Sequence, residues 1–233
     1  MKKIGAFLNL IRDHVRPRHF FETLDELATT KITEKVHNDA AYVTRDIEHF
    51  WRFTAAEVDQ SLGEYYEFGV FQGTSINFFA RELGRNIHGF DSFEGLPAGE
   101  GVWKKYRDEG TFDRGGQLPT VEDNVTLHQG WISDTLPRFI EERDLQQAAF
   151  IHIDTDIYES AACILDNLGP YIDQGTVILF DELCNYEGFY LHEYQAFIRF
   201  LKQRSLSYEI LAVCSVGTRH DNFLKVATRI INP

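Results

Sequence analysis

Glu67-Phe68-Gly69-Val70-Phe71-Gln72-Gly73-Thr74-Ser75 follows an apolar run beginning at Tyr65 and precedes a helical pattern that opens near Ile76. Strand, glycine turn and helix in that order let bare backbone approach a nucleotide-like ligand, with the first N–H groups of the helix facing it. Two glycines four apart lack the third glycine of the dinucleotide pattern, which disfavours NAD. From Tyr65 onward, short apolar runs alternate with segments of helical periodicity, as in a sheet covered by helices on both faces. Strands are expected at 65–70, 87–91, 125–129, 149–154 and 176–180, five parallel ones at minimum. The runs 208–216 and 223–231 are separated by Gly217-Thr218-Arg219-His220-Asp221-Asn222, which suits a hairpin, so the sheet is expected to finish antiparallel.

Upstream the apolar spacing is helical, as in Ile47, Phe50, Trp51 and Val58, which separates an N-terminal helical region (1–62) from the α/β module (63–233). Lys2 and Lys3 open an apolar run that ends at Arg12-Asp13-His14 without a small-residue cleavage site, so a packing or interfacial helix is expected there. With 43% hydrophobic and 25% charged residues, the 233-residue chain reads as one medium folded domain with an appendage. Lys+Arg 23 against Asp+Glu 36 gives a net charge of −13, which repels a nucleic-acid backbone. The three cysteines, 163, 184 and 214, lack the spacing of a disulfide framework or thiolate zinc site, and a reducing cytoplasm is the expected location. No apolar stretch reaches the roughly 18 residues that a membrane span needs.

Asp91 ends the apolar run after the glycine turn, where a carboxylate in a doubly wound sheet can accept hydrogen bonds from ribose hydroxyls; the alternative is a helix cap or turn residue. Asp154 and Asp156 end the next buried run, and Asp181 and Glu182 directly follow Val177-Ile178-Leu179-Phe180. Acids this close repel unless a cation, a proton or the turn geometry separates them, and strand ends in a parallel sheet line one crevice. Oxygen ligands of this kind suit Mg²⁺, with Mn²⁺ and Ca²⁺ also compatible, although Asp156 and Glu182 also read as a cap and a solvated acid. His152 faces the same side as Asp154 but reads first as a hydrogen-bonded core residue; His192 is a reserve candidate, and nothing marks Cys184 as a nucleophile. The glycine-rich, aperiodic stretch 94–120, with Trp103 and Tyr106, is a candidate lid and acceptor surface.

Five pieces, EFGVFQG (67–73), FDSFEGLP (90–97), GWISDTLP (130–137), IDTDIYES (153–160) and ILFDE (178–182), together resemble the macrocin O-methyltransferase family of metal-dependent sugar O-methyltransferases. The resemblance covers roughly residues 65–185. It implies a Rossmann-like class I methyltransferase fold, with a seven-stranded, mostly parallel sheet whose last strand is antiparallel. It further implies S-adenosylmethionine as methyl donor, with Glu67, Gly69 and Gly73 in the cofactor turn and Asp91 and Ser92 on the ribose. Asp154, Asp181 and Glu182 match metal-ligand positions and Asp156 the general base. The family's paired aspartates followed by tyrosine appear here as Asp181-Glu182-Leu183, which lengthens one ligand and removes an aromatic contact. The acceptor would be a sugar hydroxyl of a natural product or glycan, and the aromatic N-terminal helices suit a homodimer contact. A metal-dependent nucleotide-sugar glycosyltransferase or a phosphohydrolase also uses Asp-x-Asp, and a non-catalytic partner subunit could keep the cofactor fold.

Overall fold

The computed structural model describes residues 31–32, 34–35, 38–39, 42–97, 108–215 and 223–232. The N-terminal amphipathic run, Trp103, Tyr106 and the hairpin turn 217–222 lie outside the described residues.

Among the described residues thirteen main elements follow one another: β1 Tyr42–Thr44, α1 Ile47–Ala56, β2 Glu64–Phe68, α2 Thr74–Leu83, β3 Ile87–Asp91, β4 Val125–Gln129, α3 Ile132–Glu141, β5 Ala148–Ile153, α4 Tyr158–Leu168, β6 Val177–Cys184, α5 Glu193–Arg204, β7 Ser207–Ser215 and β8 Leu224–Ile231. They build one sheet in the order β1-β7-β8-β6-β5-β2-β3-β4. β8 runs antiparallel to both of its neighbours, and every other pairing is parallel. The seven strands expected from sequence are therefore present. The eighth, β1, pairs with β7 through only three residues, too few to show alternation, and sits where the sequence reads as helical.

Side chains on successive strand residues point to opposite faces, and the core divides accordingly. Tyr66, Ile151 and Ile178 pack with Phe139 of α3, Leu165 of α4 and Phe197 of α5. Their neighbours Tyr65, Phe150 and Leu179 pack on the other face with Phe50 of α1 and Phe79 of α2. Asp46 begins α1 by accepting a hydrogen bond from the His49 N–H at 3.0 Å, relieving one of the unpaired donors at the helix start. Residues 42–56 thus add a strand and a helix to the same three-layer body. The chain reverses its direction of sheet growth between β2 and β5, which puts a topological switch point at the carboxyl ends of those two strands.

A histidine pair lies in the α3-side layer. His88 Nδ1 and His128 Nε2 are 3.1 Å apart, and the Asn86 amide is 3.2 Å from His88 Nε2. A neutral His88 that donates from Nδ1 and accepts at Nε2 satisfies both contacts. Burial, then the neighbouring His128 and Arg143, lowers its pKa from 6.5 to about 4. The unfolded chain therefore binds a proton that the folded chain refuses between those values, and stability falls as pH drops from about 6.5 towards 4. Replacing His88 with leucine is expected to flatten this part of the stability profile by an amount on the order of 1–3 kcal/mol, read from urea midpoints at pH 7 and pH 5.

Candidate active site

At the switch point the ends of β2 and β5 are pinned together. The Asp154 N–H donates to Phe68 O at 2.9 Å, and the Gly69 N–H donates to Phe90 O on β3 at 3.0 Å. Gly69 has φ +86°, and a Cβ there would stand 1.7 Å from the Asp154 carbonyl oxygen. Only glycine lets the two strand ends approach this closely. Asp91 sets the loop that follows: its Oδ2 accepts from the Val70 and Phe71 N–H groups at 2.7 and 2.8 Å, and its Oδ1 from Phe93 at 2.7 Å. Ser92 Oγ accepts from the Glu94 N–H at 3.1 Å.

Gly69, Asp91, Ser92, Asp154 and Asp156 line one cleft together with Trp131 and Ile132, so the structure brings together residues from four of the five sequence segments. Phe71, Phe112 and Trp131 form its aromatic walls, and the described ends of the 94–120 loop contribute Leu96 and Pro97. Those ends are tied by the Leu96 N–H to Thr111 O (3.0 Å) and by the Gly116 N–H to Phe93 O (2.9 Å). Asp156 sits between β5 and α4 with φ +65° and is 5% exposed.

Glu67 and Gly73 stand apart from the lining. Gly73 caps α2 in the left-handed region at φ +83° and accepts from the Asn77 N–H at 3.1 Å. The carboxylate of Glu67 is fully buried, taking the Ser75 hydroxyl at 2.8 Å and His152 Nδ1 at 2.9 Å.

The family described as methyltransferase domain matches residues 66–183, just over half of the chain. The chain belongs to that family. A curated relative, the 8-demethyl-8-(2,3-dimethoxy-alpha-L-rhamnosyl)-tetracenomycin-C 4'-O-methyltransferase of Streptomyces olivaceus, is 30% identical over 52% of this chain and 52% of its own length. The chain thus matches about half the length of that relative. Among solved structures, the calicheamicin methyltransferase CalS11 is similar with a TM-score of 0.52 at 21% identity, over 97% of this chain and 90% of that one. The O-methyltransferase NovP has a TM-score of 0.53 at 20% identity over 78% of each chain. At such identities the likeness is one of fold.

In this methyltransferase domain the acids next to the cleft converge. Ligand atoms of His152, Asp154 and Asp181 all lie within 4.8 Å of one another. Asp181 carries a cation on one oxygen, since Lys225 of β8 donates to its Oδ2, and His152 Nε2 stands 3.9 Å from its Oδ1. Glu182 is 8% exposed, and its Oε2 has no hydrogen-bond partner among the described residues. Burial would raise the pKa of Asp181, but Lys225 and His152 outweigh it and hold the carboxyl well below its ordinary range. Burial also works against charge on His152, yet Glu67 and Asp181 carry its pKa up to about 10. Asp154 and Glu182 go the other way: burial first, and then the charge of Asp181, pushes both well above the carboxylate range.

A half-buried acid and a buried one that both resist ionisation, the second with an orphaned oxygen, call for a proton or a further cation, and carboxylate oxygens of this kind suit a hard divalent ion. Among the described residues, Asp154 and Asp181 come together with His152, and Glu182 is not part of the group whose ligand atoms lie within 4.8 Å of one another.

Lys225, Glu193 and the pairing of Glu67 with His152 escaped sequence reasoning, although His152 is the hydrogen-bonded core residue that the sequence suggested. Lys225 reads as the first polar position of an ordinary strand. The Glu67–His152 pair joins residues 85 positions apart. Glu193 reads as a surface acid in the first turn of α5 but is completely buried, and burial followed by the charges of Asp156 and Asp181 raises its pKa to about 8. His192 is the residue before α5, with its ring 6.0 Å from Tyr186. Burial pushes the Cys184 thiol up to about 12, which suits a core residue and not a nucleophile. No helix among the described residues is long and apolar enough to cross a membrane.

Proposed function

We propose that the protein is an S-adenosylmethionine-dependent and divalent-metal-dependent O-methyltransferase of the macrocin O-methyltransferase type, acting on a sugar hydroxyl. The observation that carries this reading is the shared cleft, in which Gly69 and Asp91 of the glycine-turn region face the same space as Asp154 and Asp156. Sugar methylation by the Streptomyces relative, as its name states, supports the acceptor class. A glycosyltransferase reading leaves the glycine turn and the second acid pair without a role.

S-adenosylmethionine supplies a sulfonium methyl that is already electrophilic. A divalent ion held by Asp154, Asp181 and Glu182 supplies electrostatic stabilisation to oxygen ligands, a poor acid such as a sugar hydroxyl among them. The task left to the chain is to align donor and acceptor and to take up a proton. A carboxylate offers about four acceptor sites, and three N–H groups already occupy Asp91, so one site on its Oδ1 remains for a ribose hydroxyl. Ser92 beside it holds the second. Gly69 keeps the cleft floor free of side-chain atoms. Asp156 accepts the acceptor proton at a carboxylate oxygen, and the aromatic walls with Leu96 and Pro97 exclude water around the acceptor. Glu67, through Ser75 and His152, braces the turn from behind; Gly73 shapes its exit into α2. Dimerisation through the N-terminal region and a cytoplasmic location belong to the same proposal.

Asp154→Asn is expected to abolish metal-stimulated methyl transfer to a sugar acceptor while leaving the circular dichroism spectrum and the unfolding midpoint near those of the parent. Equal turnover of the parent protein in chelator and in added Mg²⁺ would remove the ion from the reaction. Calorimetric titration with S-adenosylmethionine tests the donor independently of the acceptor.

A further inference from the structure

The acid cluster holds a cation of its own. Phe180 pairs with Val226 and Cys184 with Leu224, so Asp181, Glu182 and Leu183 of β6 stand opposite Lys225 alone. An irregularity with three residues facing one re-aims the side chains of the longer strand. Here it turns the Asp181 carboxylate towards the lysine. Their side chains are only 12% and 16% exposed, so neither charge is shared mainly with water. The lysine also lies within electrostatic reach of Glu182 and Asp154, and its ammonium is stabilised by all three acids. His152 approaches the second oxygen of Asp181. Both oxygens of this carboxylate thus face positive groups of the protein, whereas Asp154 and Glu182 lack an equivalent partner among the described residues.

We propose that Lys225 is the resident counter-ion of Asp181 and a built-in competitor of the divalent ion, keeping the acid cluster assembled without metal and making metal binding weak and exchangeable. The inference rests on the reading that this cluster takes up a divalent ion. An ammonium a few ångströms from a divalent cation repels it, and while seated on Oδ2 it leaves Asp181 only one free oxygen. Removing the ammonium has opposite effects on the two states. The metal-free state is left with a buried carboxylate whose Oδ2 has lost its cation, and the metal-loaded state loses a like-charge neighbour. Lys225 is a positioning residue in this account and takes no part in bond making.

The test is titration of MgCl₂ into the full chain, without methyl donor, followed by calorimetry and by thermal unfolding in chelator and in saturating Mg²⁺. Lys225→Met is expected to bind Mg²⁺ at least tenfold more tightly than the parent, to unfold at lower temperature in chelator and to gain more from Mg²⁺ than the parent does. Lys225→Arg, which keeps the charge, is expected to stay within about threefold of the parent affinity. A Lys225→Met chain that folds only when Mg²⁺ is present supports the proposal, and one that folds in neither condition overturns it. Equal or weaker affinity in Lys225→Met overturns the proposal and leaves the metal-dependent reading intact. Absence of binding to parent and variant alike overturns both.

Discussion

Asp156→Asn is expected to lower kcat by about 10²–10⁴-fold, the range for loss of a positioned general base, while S-adenosylmethionine affinity and acceptor KM change by only a few-fold. Asparagine is the informative replacement. Asp156 has φ +65°, a left-handed conformation that asparagine tolerates better than other non-glycine residues, so the backbone of the β5–α4 turn is retained. The charge removed is one that opposes ionisation of Glu182 and Glu193, and the urea midpoint of the variant checks that the fold is retained. A fall in kcat with an unchanged donor dissociation constant separates loss of the base from loss of the cleft. Normal turnover in this variant would take Asp156 out of the reaction and return the base role to another group.

Gly69→Ala is expected to destabilise the fold by about 2–5 kcal/mol, the sum of a left-handed backbone penalty of about 1–2 kcal/mol and an overpacking cost of about 1–3 kcal/mol. The added methyl would overlap the Asp154 carbonyl oxygen, so relief requires the ends of β2 and β5 to separate at the point where the cleft is built. Gly84→Ala is the control. Gly84 also has positive φ, at +61°, but a Cβ there meets nothing within 4 Å, so only the backbone penalty of about 1–2 kcal/mol remains. Equal urea midpoints for the two variants would show that the strand ends are not tightly coupled. The expected difference would place the close approach of β2 and β5 among the main constraints on the site.

Much of the architecture was legible because its signals are local. Five apolar runs ending in acids or glycine predicted β2 to β6 with boundaries within a few residues, and the turn between 216 and 223 predicted the antiparallel end of the sheet. The clearest difference in extent is β6, which continues through Asp181 and Glu182 to Cys184, where the sequence reading stopped the strand at Phe180. The polar pair hid the continuation because alternation of apolar residues cannot report a strand whose buried positions are charged. β1 was invisible for another reason: three residues at a sheet edge are too short to establish a period.

Pattern and turn chemistry in the chain alone determined the strand-helix alternation, the glycine turn and the placing of Asp91, Asp154 and Asp156 at or just past strand ends, whereas Asp181 and Glu182 lie inside β6. Those properties depend on neighbours in sequence and survive in a single segment. Tertiary structure alone decided which acids share a cleft, that Glu67 turns inward to His152, and that Lys225 takes one oxygen of Asp181. Sheet order, register and one irregularity in β6 bring groups 44 and 85 positions apart into contact, and no local periodicity encodes such meetings.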